Sequence, residues 1–191
     1  MNKKIFYIYL FIPIISNTIF AQVGLGTKGV INYPGILTSE QNNIRFDPGF
    51  GYGFFIRHDV YSAADWNLDF RYSAVVSKHS AKLPRSGDTN YKFSDFSVDF
   101  IVEFNALKIK GLYSGLALNF MSAVSSNRYI SDYSDETLYP SILFGYSYNW
   151  AEGFDFFAEF IAGFGSTKAG PEKIPITGPA LHLGLTMYIS E

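Results

Sequence analysis

From residue 22 onward, apolar and polar side chains trade places at almost every position. Successive side chains on a strand point to opposite faces, so this alternation predicts strands with one greasy and one polar face. Between Arg45 and Arg57, Phe46, Phe50, Tyr52, Phe54 and Ile56 share one face. Arg45, Asp47, Gly49, Gly51, Gly53 and Arg57 share the other. Trp66 to Ser77 sets Leu68, Phe70, Tyr72 and Val76 against Asp69, Arg71 and Ser73. Phe96, Val98, Phe100, Val102 and Phe104 oppose Asp95, Ser97, Asp99 and Glu103.

The pattern continues through Leu112–Val124, Leu138–Trp150, Phe154–Phe164 and Leu181–Ile189, with Val23–Tyr33 the weakest case. These segments run to about 10 residues, the length of a tilted membrane strand, against about 5–6 in soluble proteins. The predicted links alternate in length. Those around Asp59–Asp65, Asn105–Lys110 and Ala151–Gly153 are short; Pro34–Ile44, His79–Lys92, Ser125–Thr137 and Ser166–Gly178 are long. Short turns on one side and long loops on the other mark a transmembrane β-barrel. The expected fold is therefore all-β: an eight-stranded antiparallel up-and-down barrel with both termini periplasmic. Trp66, Tyr148, Trp150 and Phe154 fall near turns, where interfacial aromatic girdles belong.

Composition sharpens this picture. Only 17% of residues are charged and 18% are aromatic, whereas soluble domains carry about 25% charged residues. Lys3 and Lys4 precede the apolar run Ile5–Ile15, and Ala21 offers a small residue for cleavage, the layout of a secretory signal. Residues 1–21 are thus expected to be a signal peptide and 22–191 the barrel domain. Cleavage removes two lysines and leaves a net charge of about −4. No clustered positive field suggests nucleic-acid binding. The absence of cysteine excludes disulfides, thiolate metal sites and a lipid-modified N-terminal cysteine.

With these residues in hand, the chain resembles the small outer-membrane barrels of the OmpX and OmpA-domain type, in the Tyr/Phe-rich version common in Bacteroidota. Its last strand reads His182, Gly184, Met187 and Ile189 at the spacing that, in the family, the barrel-assembly machinery reads. It departs from the usual form in ending on Ser190-Glu191 rather than an aromatic. The resemblance implies outer-membrane lipid and lipopolysaccharide around the barrel, periplasmic chaperones and the assembly machinery during biogenesis, and a monomer.

The polar rows put Lys28, Arg45, Asp47, Arg57, Asp69, Arg71, Asp95, Asp99, Glu103, Asp155 and Glu159 inside. Antiparallel pairing of the third and fourth strands would bring Arg71 near Asp99, and Arg57 on the second strand could reach Glu103 at the periplasmic end. Eight strands leave an interior just wide enough for side chains to fill. The expectation is a salt-bridged plug built on Arg57, Asp69, Arg71, Asp99, Glu103 and Glu159, because unpaired buried charges are very costly. A narrow carboxylate-lined pore or ligand pocket is the alternative.

Gly24–Gly29 matches G-x-G-x-x-G, yet it lies inside an alternating strand with no helix after it, so it is not a dinucleotide site. His58 is expected at a periplasmic turn, His79 in an outer loop and His182 inside the last strand, without metal-ligand spacing. His79-Ser80 is the one candidate for rim-sited hydrolysis of lipid or protein. Adjacent strand residues point apart, and no nucleophile motif accompanies them. No cofactor or metal is expected. The outer loops differ in charge: His79–Lys92 is net basic and Ser125–Thr137 net acidic. The leading functional expectation is a non-enzymatic envelope or loop-presenting barrel, with a channel, a rim enzyme and a secretion-accessory role as alternatives.

Overall fold

A computed structural model describes residues 22–32, 45–83, 87–104, 109–125, 137–169, 172–175 and 179–189. Residues 1–21, with the expected signal peptide, and the terminal Ser190-Glu191 lie outside the described residues. Every regular element among the described residues is a strand. Eight of them form the wall: β1 (Val23–Asn32), β2 (Gly49–Ser62), β3 (Trp66–Leu83), β4 (Gly87–Phe104), β5 (Leu112–Ser125), β6 (Thr137–Ala151), β7 (Phe154–Gly163) and β8 (Pro179–Ile189). Each pairs antiparallel with its neighbours in sequence, and β1 pairs with β8, which closes the sheet. Closure satisfies the backbone N–H and C=O groups that an open edge would leave bare.

The register fixes the shape. Asn32 on β1 pairs with Gly49 on β2. Followed the other way, through Ala180, Ile161, Leu143, Gly115, Ile101 and Asp69, the same line of pairs returns to β2 at Asp59, ten residues further on. A stagger of ten residues, at ~3.3 Å per residue and ~4.8 Å between strands, tilts the strands by about 40°. The ten residue steps from Phe154 to Phe164 then rise about 25 Å along the axis, the height of a membrane barrel's apolar band.

Alternation sorts the two faces. Phe50, Tyr52, Phe54, Leu116, Phe144, Phe156, Phe160 and Leu183 are exposed on the outside. Lys28, Arg57, Asp69, Arg71, Ser73, Asp99, Glu159 and Thr186 are buried inside. The apolar part of the interior is small, with Ile101, Tyr113, Ala117 and Leu143 packed together and Ile161 against them. The three hairpins β2–β3, β4–β5 and β6–β7 turn at the same end as the paired strand ends Val23 and Ile189. Gly153 takes φ 77° in the β6–β7 turn, a conformation that costs glycine nothing. Bulges follow at Val60 and Trp150, beside two of these turns.

Four expectations change. Arg45 and Asp47 do not belong to β2: Arg45–Phe46 is a separate two-residue strand paired with Ala81 and Lys82 of β3. Asp47-Pro48 lies between it and β2, and proline lacks the N–H that would continue a ladder. The supposed loop His79–Lys92 is mostly sheet, because β3 and β4 pair from Lys78↔Lys92 up to Leu83↔Gly87. Pairing there needs no buried face, so alternation gave no warning of it. Ser166–Gly178 contains a small two-stranded sheet, Ser166–Ala169 with Glu172–Pro175. His58 is not at a turn, since β2 runs on to Ser62 and carries it on the outward row. There it meets the rings of Phe70 and Tyr72, each centred 5.8 Å away.

Candidate functional site

The lumen is the obvious place to look for chemistry, and Arg71 on β3 stands at its middle. The β3–β4 register sets Arg71 opposite Asp99. Its Nε donates to Asp99 Oδ2 at 2.6 Å. On the far wall, β7 contributes Glu159, whose Oε2 lies 2.8 Å from Arg71 Nη1 and whose Oε1 accepts from Nη2 at 2.9 Å. The guanidinium also lies 5.6 Å from the ring centroid of Phe55 and 5.7 Å from that of Phe157. A flat, weakly hydrated cation suits both kinds of partner at once.

Glu159 gathers further donors. Tyr113 OH donates to its Oε2 at 3.0 Å, and His182 Nδ1 lies 3.0 Å from its Oε1. Residues from β3, β4, β5, β7 and β8 therefore meet across the barrel axis. Phe55 and Phe157 contact each other edge to face at 5.5 Å. They fit because glycines face them: a Cβ at Gly26 would strike Phe55, and one at Gly184 would strike Phe157. Tyr113 fits over Gly145 in the same way.

A second network occupies the short-turn end. Arg57 Nε donates to Asp69 Oδ2 at 2.9 Å, Nη2 pairs with the same oxygen, and Nη2 reaches Glu103 Oε2 at 3.4 Å. Nearby on β6 and β7, Ser147 and Asn149 donate to Asp155 at 3.2 and 2.9 Å. Toward the long-loop end, Lys28 Nζ donates to Ser73 Oγ at 3.1 Å, Tyr139 OH to Asp95 at 2.5 Å and Asn119 to Ser141 at 2.8 Å.

Among the described residues, the lumen holds Lys28, Arg57 and Arg71 against Asp59, Asp69, Asp95, Asp99, Glu103, Asp155 and Glu159. Carboxylates outnumber cations. Asp95 and Asp155, which no cation pairs in these networks, are held by neutral donors instead. One oxygen each of Asp69, Asp95 and Asp99 is buried without a hydrogen-bond partner.

The sequence-derived plug residues thus divide between two networks. Arg71, Asp99 and Glu159 form the central one with His182, while Arg57, Asp69 and Glu103 form the one beside the turns. Of the expected assembly motif, His182 and Gly184 stand on the inward row of β8, and Met187 and Ile189 are exposed on the outward row. The sequence reading passed over Phe55, Tyr113 and Phe157. Their signal was an aromatic residue on a polar row, paired by position with a row rich in glycine. His79 and Ser80 pair with Tyr91 and Asn90 along the β3–β4 ladder; their side chains lie outside the described residues.

The outward face has its own relief. A mostly apolar groove of about 640 Å³ runs over β1, floored by Gly26 and Thr27 and walled by Phe54, Tyr72, Phe96 and Leu185. At the short-turn end Tyr61 packs on Trp66 at 4.9 Å and Trp150 on Phe156 at 5.4 Å.

No protein-family model matches the chain, and no curated protein matches it. Solved structures do. The chain is similar to the outer membrane protein OprG from Pseudomonas aeruginosa, with TM-score 0.54 and 12% identity over 90% of this chain and 96% of that one. It is also similar to Neisserial surface protein A, with TM-score 0.51 and 12% identity over 87% of this chain and 96% of that one. At such identity the likeness is one of fold, and the fold is the closed eight-stranded antiparallel barrel of small outer-membrane proteins.

Proposed function

We propose that this chain is an integral outer-membrane protein whose closed barrel serves the envelope mechanically and presents its long-loop end to partners, without catalysing a reaction. The carrying observation is the pairing of two features in one wall. An exposed apolar band about 25 Å high surrounds a lumen crossed by the contacts of Arg71 with Asp99, Glu159, Phe55 and Phe157. Such an outside needs lipid, since soluble monomers rarely expose large continuous apolar patches. Such an inside resists the passage of solutes. The strand pattern and the His182–Ile189 ending support kinship with the OmpX and OmpA-domain barrels. The early basic and apolar residues support export with cleavage near Ala21, which would put the short turns and both termini in the periplasm. The non-enzymatic reading is supported by the place of His79 and Ser80 at successive positions of a regular ladder, rather than in the loop where the two could converge.

Two measurements test this. The protein should fractionate with the outer membrane and run at a heat-dependent position on gels; recovery as a soluble periplasmic protein would overturn the reading. In planar bilayers the wild type should be silent, while Arg71→Ala combined with Phe157→Ala should conduct. Steady conductance by the wild type would replace the closed-barrel reading with that of a narrow channel.

A further inference from the structure

Among the described residues, the β3–β4 hairpin runs further out than the strands beside it. Beyond Lys78, which pairs with Phe50, β3 has no β2 partner, and among the described residues only Arg45–Phe46 returns to pair with Ala81 and Lys82. On the other side β4 pairs with β5 no further out than Tyr91↔Ser125. The ladder positions that share the outward row with Val76 are 78, 80 and 82 on β3, and 88, 90 and 92 on β4.

Their charges are arranged unusually. Lys78 stands directly opposite Lys92, and Arg45 directly opposite Lys82. Like charges directly opposite on one face of a sheet destabilise the pairing. Ser80 and Asn90, both hydrogen-bonding types, stand opposite each other between the two basic rows. Asp88, opposite Lys82, is the one carboxylate among these positions. The lower basic row is flanked by Phe50 on β2 and Val124 on β5, so it sits at the upper edge of the apolar band. Lys78 is exposed there, as is Phe50 beside it.

We propose that this outward face of the β3–β4 extension binds the phosphate groups of anionic lipids in the leaflet at the long-loop end. The inference rests on the membrane reading above. In that setting, phosphates lie just beyond the apolar band, at the level of ladder positions 78 and 92. An anion beside two opposed lysine positions would be attracted by both charges. Basic groups at a membrane surface gain attraction to anionic headgroups, and the gains accumulate with each one.

The test uses the full mature chain, reconstituted in vesicles of phosphatidylcholine and in vesicles of equal parts phosphatidylcholine and phosphatidylglycerol. Insertion into pure phosphatidylcholine is scored first, by heat-dependent migration; failure there overturns the membrane reading itself. Given insertion, mass spectrometry of lipid retained after mild detergent extraction should show phosphatidylglycerol enriched over its share of the bilayer. Lys78→Gln with Lys82→Gln and Lys92→Gln should insert equally well and lose that preference roughly tenfold or more. Lys110→Gln, at the short-turn end, should keep it. Raising the salt concentration should weaken the enrichment of the wild type. Retention of the two lipids in proportion, or enrichment unchanged in the triple variant, would overturn the proposal. Inorganic phosphate added to wild type in phosphatidylcholine should raise the thermal midpoint less than phosphatidylglycerol does; an equal rise would overturn the assignment to lipid.

Discussion

The middle of the lumen and the outward face of the β3–β4 extension are both rich in charge, yet they treat it in opposite ways. Around Arg71 each ion faces an opposite one at 2.6–2.8 Å, and the flat faces of the cation meet aromatic rings. On the extension Lys78 faces Lys92 across the ladder. Solvation explains the difference. A charge sealed inside the barrel has lost its water and must find its partner in the protein. A charge at the rim keeps its water, and repulsion there is weak enough to be tolerated and kept for a partner from outside. The lumen is therefore specified by the fold, and the rim by what approaches it.

The largest way to break this contrast is to remove the central cation. Arg71→Met strands Asp99 and Glu159 without their cation and should cost about 3–5 kcal/mol, read from urea unfolding in lipid vesicles. Glu159→Gln comes next, with a loss of about 3 kcal/mol by the same assay. The two changes together should cost clearly less than the sum of the single losses, because both break the same pair. If the effects simply add, the network is not the unit described.

A smaller effect is expected where packing alone is disturbed. Gly184→Ala forces a Cβ against the Phe157 ring and the Thr27 carbonyl oxygen and should cost about 1–3 kcal/mol. It should leave the wild-type silence in planar bilayers intact. The smallest effect belongs to the rim. Lys92→Gln in neutral phosphatidylcholine should change stability by no more than about 0.5 kcal/mol, as surface substitutions generally do. A loss comparable to that of Arg71→Met would mean that the extension's charges are internal partners after all.

Parts of the lumen were within reach of the sequence. Alternation put Arg57, Asp69, Arg71, Asp99, Glu103 and Glu159 on polar rows, hairpin pairing suggested Arg71 with Asp99, and their shared end of the barrel suggested Arg57 with Glu103. Arg71 with Glu159 was beyond that reach: the two lie 88 residues apart and on opposite walls. Their meeting depends on the offset accumulated around all the strand pairs. Phe55 and Phe157 were missed because an aromatic residue on an inward row is acceptable only when the facing position is empty. Gly26 and Gly184 supply that emptiness only after the register is set.

By itself the order of residues determined which side chains look outward and which look into the barrel, because a strand has only two faces and each residue flips to the other. It also determined the number of wall strands, since each alternating run supplies one strand with an apolar outer row and a polar inner row. Only the tertiary structure decided which inward residues touch, how far β3 and β4 run past their neighbours, and that His58 lies against Phe70 and Tyr72 on the outside. Those outcomes follow from closure: joining β1 to β8 imposes a single stagger on the whole ring, and no local stretch of sequence carries that number.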